Sequence, residues 1–243
     1  MPCRFTLPAL AAAAFLALPA PALADHHAGA TTTPAAPAAT NHSSPNAPGM
    51  DQRAPDVFDT TFETTTGPIV IRTHRAWAPL GADRFYNLAR SGFYDNQFFY
   101  RVVPGFVVQW GMHPDPAVIE AWMAPGAQLR DDPVVETNSR GRVTFANAGP
   151  NTRSTQLFIN LGDNAFLDDP RQMRGSVFAP FGEVIEGMDN VTNIEDRHGE
   201  QPQQGAIRQN GNAYLSDAFP GLDQITGTTV EPVENAGTQD AGE

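Results

Sequence analysis

The chain has 243 residues, a formal net charge of -12 and 41% hydrophobic residues, enough for one large domain with a real core. The negative balance disfavours nucleic acid and anionic lipid as partners, and all 15 basic residues are arginine. The single cysteine, Cys3, leaves disulfides, thiol catalysis and thiolate metal sites out of everything downstream of it.

In chain order, residues 1–24 read as a secretory signal. Arg4 is the positive start, "LPALAAAAFLAL" the apolar stretch, and Ala22-Leu23-Ala24 a small-x-small cleavage site. The expected address is periplasmic or secreted. Residues 25–55 are rich in Ala, Pro, Thr and Ser with hardly a large apolar side chain, which predicts a disordered linker. One compact domain is expected over 56–232, followed by a disordered acidic tail over 233–243.

Within the domain, "DVFDTTFETTTGPIVIRT" alternates apolar and polar residues around Gly67-Pro68 and predicts a β-hairpin. Pro79 opens a segment whose Leu80, Phe85, Leu88 and Ala89 are spaced for a short amphipathic helix, stopped at Ser91-Gly92. "QFFYRVV" and "FVVQW" read as strands around a Pro104-Gly105 turn. "GRVTFANAG", "STQLFIN" and "FAPFGEVIEG" carry three more, and "GMDNVTNIED" a short helix. Many short strands, few helices and frequent Gly/Pro turns predict a mainly β domain, a closed antiparallel barrel with helical plugs.

One arginine, Arg101, interrupts the apolar run "FFYRVVPGFVVQWG". An unpaired buried guanidinium is expensive and cannot be neutralised, so partners or a ligand must compensate it. Strand alternation places Val107 with Gln109, and Gln156 with Phe158, on shared faces, mixing hydrogen-bonding and apolar groups as a peptide groove requires. The acid pairs Asp131-Asp132 and Asp168-Asp169 lie in Pro-flanked turns, where aspartate caps backbone amides; the histidines show no metal-ligand spacing.

Three stretches, in order, carry a family resemblance. "FFYRVVPGFVVQWG", "FANAGPNTRSTQLFIN" and "FAPFGEVIEGMDNV" resemble the three signatures of the cyclophilins, and "QGAIRQNGNAYLSDAFPGLDQI" is similar to a C-terminal extension of some bacterial members. The resemblance implies a closed eight-stranded antiparallel barrel capped by two α-helices, and peptidyl-prolyl cis-trans isomerase activity without cofactor or metal. Arg101 matches the catalytic arginine. Phe106, Val107, Phe158 and Leu167 match the walls of the proline pocket, Phe166 and Phe178 match further substrate-binding positions, Phe178 closing the pocket, and Gln109, Ala146, Asn147 and Gln156 match residues that hold the substrate backbone and the side of the groove. Tyr100 and Phe178 stand where many members have His, and Phe166 where some have Trp, so tight binding of cyclosporin-class inhibitors does not carry over. "GMHPDPAVIEAWMAPGAQLRDDP" replaces the family's Gly-rich loop. The expected partners are proline-containing polypeptides, unfolded or exported, met by a monomer without nucleic acid or membrane insertion. A holdase using the same groove without turnover is the alternative.

Overall fold

The computed structural model describes residues 41–233. The expected signal, residues 25–40 of the expected linker and the tail from 234 onward lie outside the described residues.

Strands β1 (Val57–Thr64) and β2 (Ile69–His74) form the predicted hairpin, with Phe62 opposite Ile69. Alternation sends Phe58, Thr60 and Phe62 of one strand, and Ile69, Ile71 and Thr73 of the other, into the interior. Helix α1 (Pro79–Arg90) starts on a proline that needs no donor there and buries Phe85, Leu88 and Ala89. Its N-cap residue, Ala78, supplies no side-chain cap. Asp132 does so from a distance, accepting from Leu80 N at 3.0 Å and Gly81 N at 2.9 Å. The same carboxylate pairs with buried Arg153 at 3.0 Å, so this aspartate is a structural cap, as its turn context predicts.

Next come β3 (Arg101–Val103), β4 (Val107–Trp110), β5 (Arg142–Phe145), β6 (Leu157–Asn160), β7 (Pro180–Glu186) and β8 (Ile225–Pro232). All pairs are antiparallel, in the order β3-β4-β6-β5-β7-β2-β1-β8. The expected closed barrel is therefore corrected to an open one, because β3 and β8 share no ladder. The stretch before β3 is joined to the start of β8 by the bridge Phe98–Gln224 and by bonds from Phe99 N to Asp223 O (3.0 Å), Asn96 N to Ile225 O (2.8 Å) and Ile225 N to Gln97 O (2.9 Å). The free edge of β3 is taken by a loop instead: Val102 N donates to Gly199 O at 3.2 Å. That satisfies the edge without an eighth ladder.

The expected pair of capping helices is also corrected. Besides α1, the described residues contain α2 (Pro116–Met123), α3 (Met188–Thr192), α4 (Gln204–Asn210) and α5 (Asn212–Ala218). Helix α2 lies within the segment that replaces the Gly-rich loop, and it is pinned. Asp115 caps it through Ala117 N at 2.8 Å, and Trp122 is buried under the Arg84 guanidinium, 4.8 Å from the ring centroid. Ser154 Oγ donates to Trp122 O at 2.6 Å.

Residues 41–55, read as linker, are packed against α1 and α2. Trp122 Nε1 donates to His42 O at 2.8 Å, Asn87 Nδ2 to Gln52 O at 2.7 Å, and Ala54 N to Asp83 Oδ1 at 2.9 Å. Backbone groups, which composition does not reveal, hold this strap, with Met50 and Ala54 as its buried apolar contacts. The His42 ring lies tilted against that of His113, centroids 5.3 Å apart, and the His113 pKa is lowered to about 4, first by burial and then by the His42 charge. A depressed folded-state pKa means that the unfolded chain binds the proton better. Stability should thus be full above about pH 6.5 and fall as pH drops through about 4. Thermal unfolding followed at pH 7, 5.5 and 4 checks this, with His113→Phe expected to flatten its share of the slope.

Candidate active site

The interior splits into unequal apolar clusters. The largest, built on Phe58, Phe62, Phe85, Trp110, Phe145 and Phe181, is the structural core. A smaller one holds Val107, Phe158 and Leu167, with Phe106, Ala146, Met173 and Phe178 against it. The alternation of β4 divides its side chains between the two. Val108 and Trp110 enter the core, while Val107 and Gln109 line a cavity of about 270 Å³.

Phe158 is 5% exposed and meets Phe178 edge-on at 6.0 Å. Leu167 enters from a single 3-10 turn (Ala165–Asp168). These walls are tied from behind by a buried amide network. Asn164 Nδ2 donates to Phe106 O (3.0 Å) and to Asn160 Oδ1 (2.8 Å), while Asn138 Nδ2 donates to Phe178 O and to Asp168 Oδ1, both at 2.8 Å. Three pocket segments far apart in sequence are thereby fixed to one another. Asp168 is part of this scaffold, consistent with its turn context.

Arg101 lies at the rim of the cavity with its side chain 26% exposed. Its Nη1 donates to Gln109 Oε1 at 3.1 Å, and its Nε and Nη2 reach one oxygen of Glu200 at 2.8 and 2.5 Å. The guanidinium also sits 5.6 Å from the Phe106 ring centroid. These partners compensate the arginine that the apolar run made conspicuous. Three of its five N–H groups are engaged, which leaves two for a ligand.

Gln109 is itself held. Its Nε2 donates to the Tyr100 hydroxyl (2.8 Å) and to Gln156 Oε1 (3.1 Å), and the Tyr100 hydroxyl donates to the same Gln156 oxygen (2.5 Å). Burial pushes the Tyr100 hydroxyl far above its ordinary range, so it stays a protonated donor. With both Nε2 hydrogens committed, the Gln109 carbonyl faces Arg101. Gly111 allows the close approach behind this network, since a Cβ there would lie 2.4 Å from Gln156 Cα and Thr155 O.

The cavity collects most of the residues expected in it: Arg101, Phe106, Val107 and Gln109 from one hairpin, then Ala146, Asn147, Phe158, Leu167 and Phe178. Two depart from expectation. Gln156 reaches the site only through Gln109 and Tyr100 and does not line the cavity. Phe166 is 46% exposed and stacks on the outer side of Phe106 at 6.0 Å, because its 3-10 turn aims neighbouring Leu167 inward instead. Met173, Gln204, Tyr100 and Glu200 belong to the site without having been expected as site residues. Among the described residues, no cluster of three or more His, Cys, Asp or Glu side chains is placed to hold a metal.

The family model described as "Cyclophilin type peptidyl-prolyl cis-trans isomerase/CLD" matches residues 59–211. The chain belongs to the cyclophilin-type peptidyl-prolyl cis-trans isomerase family. "Peptidyl-prolyl cis-trans isomerase-like 1" of Gibberella zeae is 35% identical over 145 residues, covering 58% of this chain and 87% of that protein. "Peptidyl-prolyl cis-trans isomerase B" of Escherichia coli is 34% identical over 137 residues, covering 56% and 82%. A crystal structure of a Cryptosporidium parvum cyclophilin-type isomerase aligns with a TM-score of 0.53 at 18% identity, covering 73% of this chain and 99% of that one, and supports the fold.

In this cyclophilin, Tyr100 is the departure with the clearest consequence, since its hydroxyl fixes the amide that faces Arg101. Tyr100→Phe removes two buried hydrogen bonds and is expected to cost about 1–2 kcal/mol of stability. Turnover should fall about three- to tenfold, mostly in kcat, because Gln109 is freed to rotate while the apolar walls stay. Steady-state kinetics beside a denaturation curve check both parts.

Proposed function

We propose that the cavity of Phe158, Leu167, Phe106 and Val107 takes the proline ring of an Xaa-Pro segment, and that Arg101 accelerates rotation about the bond. Planar amide resonance gives rotation a barrier of about 18–20 kcal/mol and makes the uncatalysed reaction take tens of seconds or longer. In the planar state the nitrogen lone pair is delocalised. In the twisted state it returns to nitrogen, which becomes a hydrogen-bond acceptor. A fixed donor beside that atom therefore stabilises the transition state and not the ground state. The guanidinium stays charged and offers a rigid fork, and its two uncommitted N–H groups are available to the peptide.

One charge-assisted hydrogen bond contributes roughly 1.5–3 kcal/mol. An acceleration on the order of 10⁵ needs about 7 kcal/mol, so the arginine is one contributor among several. The apolar walls disfavour the more polar planar amide, and backbone groups of Gln109 and Asn147 hold one side of the peptide while the other turns. No nucleophile or proton transfer is needed. The observation that carries the reading is the meeting of a half-buried, pre-oriented guanidinium with an apolar cavity of about 270 Å³.

The substrates in this reading are proline-containing chains, and the structure of the Cryptosporidium parvum relative solved in the presence of the dipeptide Ala-Pro fits that chemistry. The signal-like segment at 1–24 supports a periplasmic or secreted enzyme that acts on exported polypeptides. Among the described residues no helix is long and apolar enough to cross a membrane. A protease-coupled assay on an Ala-Pro tetrapeptide tests the activity, and fractionation of cells expressing the full chain tests the address. Turnover absent from the purified enzyme, or protein found only in the cytoplasm, would refute the corresponding half.

A further inference from the structure

We propose that Glu200 is a specificity-determining residue that makes the groove select against acidic residues flanking the proline and favour basic ones. The inference rests on the reading of Arg101 as the group that meets the substrate. Arg101 is the one charged side chain lining the cavity among the described residues. Left alone, it would attract carboxylates. Glu200 reverses that bias, since Nε and Nη2 of Arg101 both converge on Glu200 Oε1. The second oxygen, Oε2, accepts from no described group, and the side chain is 63% exposed. The pair is thus close to neutral, and its uncommitted oxygen belongs to an exposed carboxylate held beside Arg101, the residue that lines the cavity.

The placement of Glu200 is built into the fold. Its neighbour Gly199 accepts from Val102 N at 3.2 Å, on the residue following Arg101. The loop is closed on itself by Gly199 N to Asp196 O and Gln201 N to His198 O, at 3.0 and 2.9 Å. His198 packs edge-on against Phe219 at 5.4 Å and bonds Pro220 O at 3.2 Å. The same segment runs into α4, whose first residue, Gln204, lines the cavity. The stretch between α3 and β8 therefore delivers a carboxylate and an amide to one end of the groove. Charges at a half-exposed rim act through water, so the effect should be moderate and screened by salt.

The test compares kcat/KM for three tetrapeptides carrying Lys, Ala or Glu before the proline, in wild type, Glu200→Gln and Glu200→Lys, at low salt and at 0.5 M NaCl. Wild type should prefer Lys over Glu by about tenfold at low salt, a preference that largely disappears at high salt. Glu200→Gln, which leaves the Arg101 charge uncompensated, should turn the preference toward Glu, and Glu200→Lys should strengthen that inversion. A ratio unchanged in both variants overturns the proposal. So does an equal loss on all three peptides, which assigns Glu200 to holding Arg101 alone. Arg101→Ala is measured on the Ala peptide in parallel. Full turnover there would remove the reading of Arg101, a result separate from the charge ratios.

Discussion

Replacing Arg101 with alanine is expected to lower kcat/KM for an Ala-Pro peptide by about 100-fold, with the loss in kcat. The magnitude follows from one charge-assisted hydrogen bond present in the twisted state and absent in the planar one, roughly 1.5–3 kcal/mol or 10- to 150-fold. Peptide affinity should change much less, because Phe158, Leu167 and Val107 still bury the proline ring. The fold should survive, since Arg101 is 26% exposed and its partner Glu200, 63% exposed, returns to water cheaply. Arg101→Lys keeps the charge but loses the fork that spans Gln109 and Glu200. It is expected to recover only a small part of the rate. A loss confined to KM would mean that the arginine binds the ground state and does not act on rotation.

Asp132→Ala should have the largest effect on stability, about 3–5 kcal/mol. Arg153 is 1% exposed and Asp132 4%, so removing the aspartate leaves a guanidinium deep in the protein with Asp131, at 3.5 Å from its Nε, as the nearest remaining carboxylate. The variant also strips the N-terminus of α1 of its acceptors for Leu80 N and Gly81 N, which Ala78 cannot replace. Domains of this kind are stable by only about 5–15 kcal/mol, so such a loss is a large fraction of the total. Urea denaturation measures it directly. A change below about 1 kcal/mol would show that Asp131 takes over the pairing. Asp132→Asn, which retains one oxygen as an acceptor, should fall between the two.

Much of this site is legible in the sequence where local pattern and contact coincide. The β4 alternation sorts Val107 and Gln109 from Val108 and Trp110, and the period of two alone reveals it. Phe158 is found through a motif, and Leu167 only through the family resemblance. What escapes notice depends on contacts between distant segments. Glu200 meets Arg101 across 99 positions, and nothing in "DRHGEQPQ" signals it. Tyr100 looks like one more aromatic in an apolar run until its hydroxyl is seen on Gln109. Strand β8, "ITGTTVEP", is nearly devoid of apolar alternation because it is an edge strand held by its ladder to β1. The strap at 41–55 looks like linker for a related reason: backbone carbonyls and a few small residues hold it, and composition is blind to both.

The central claim is that this groove binds an Xaa-Pro bond and speeds its rotation through Arg101, without that residue being needed for binding. Two-dimensional NMR exchange spectroscopy on an Ala-Pro peptide, with catalytic amounts of wild type or Arg101→Ala, measures rotation and binding separately in one sample. Wild type should produce strong cis–trans cross-peaks. Arg101→Ala should broaden the same peptide resonances, showing that it still binds, while the cross-peaks fall to near the uncatalysed level. Equal cross-peaks from both proteins would contradict the account.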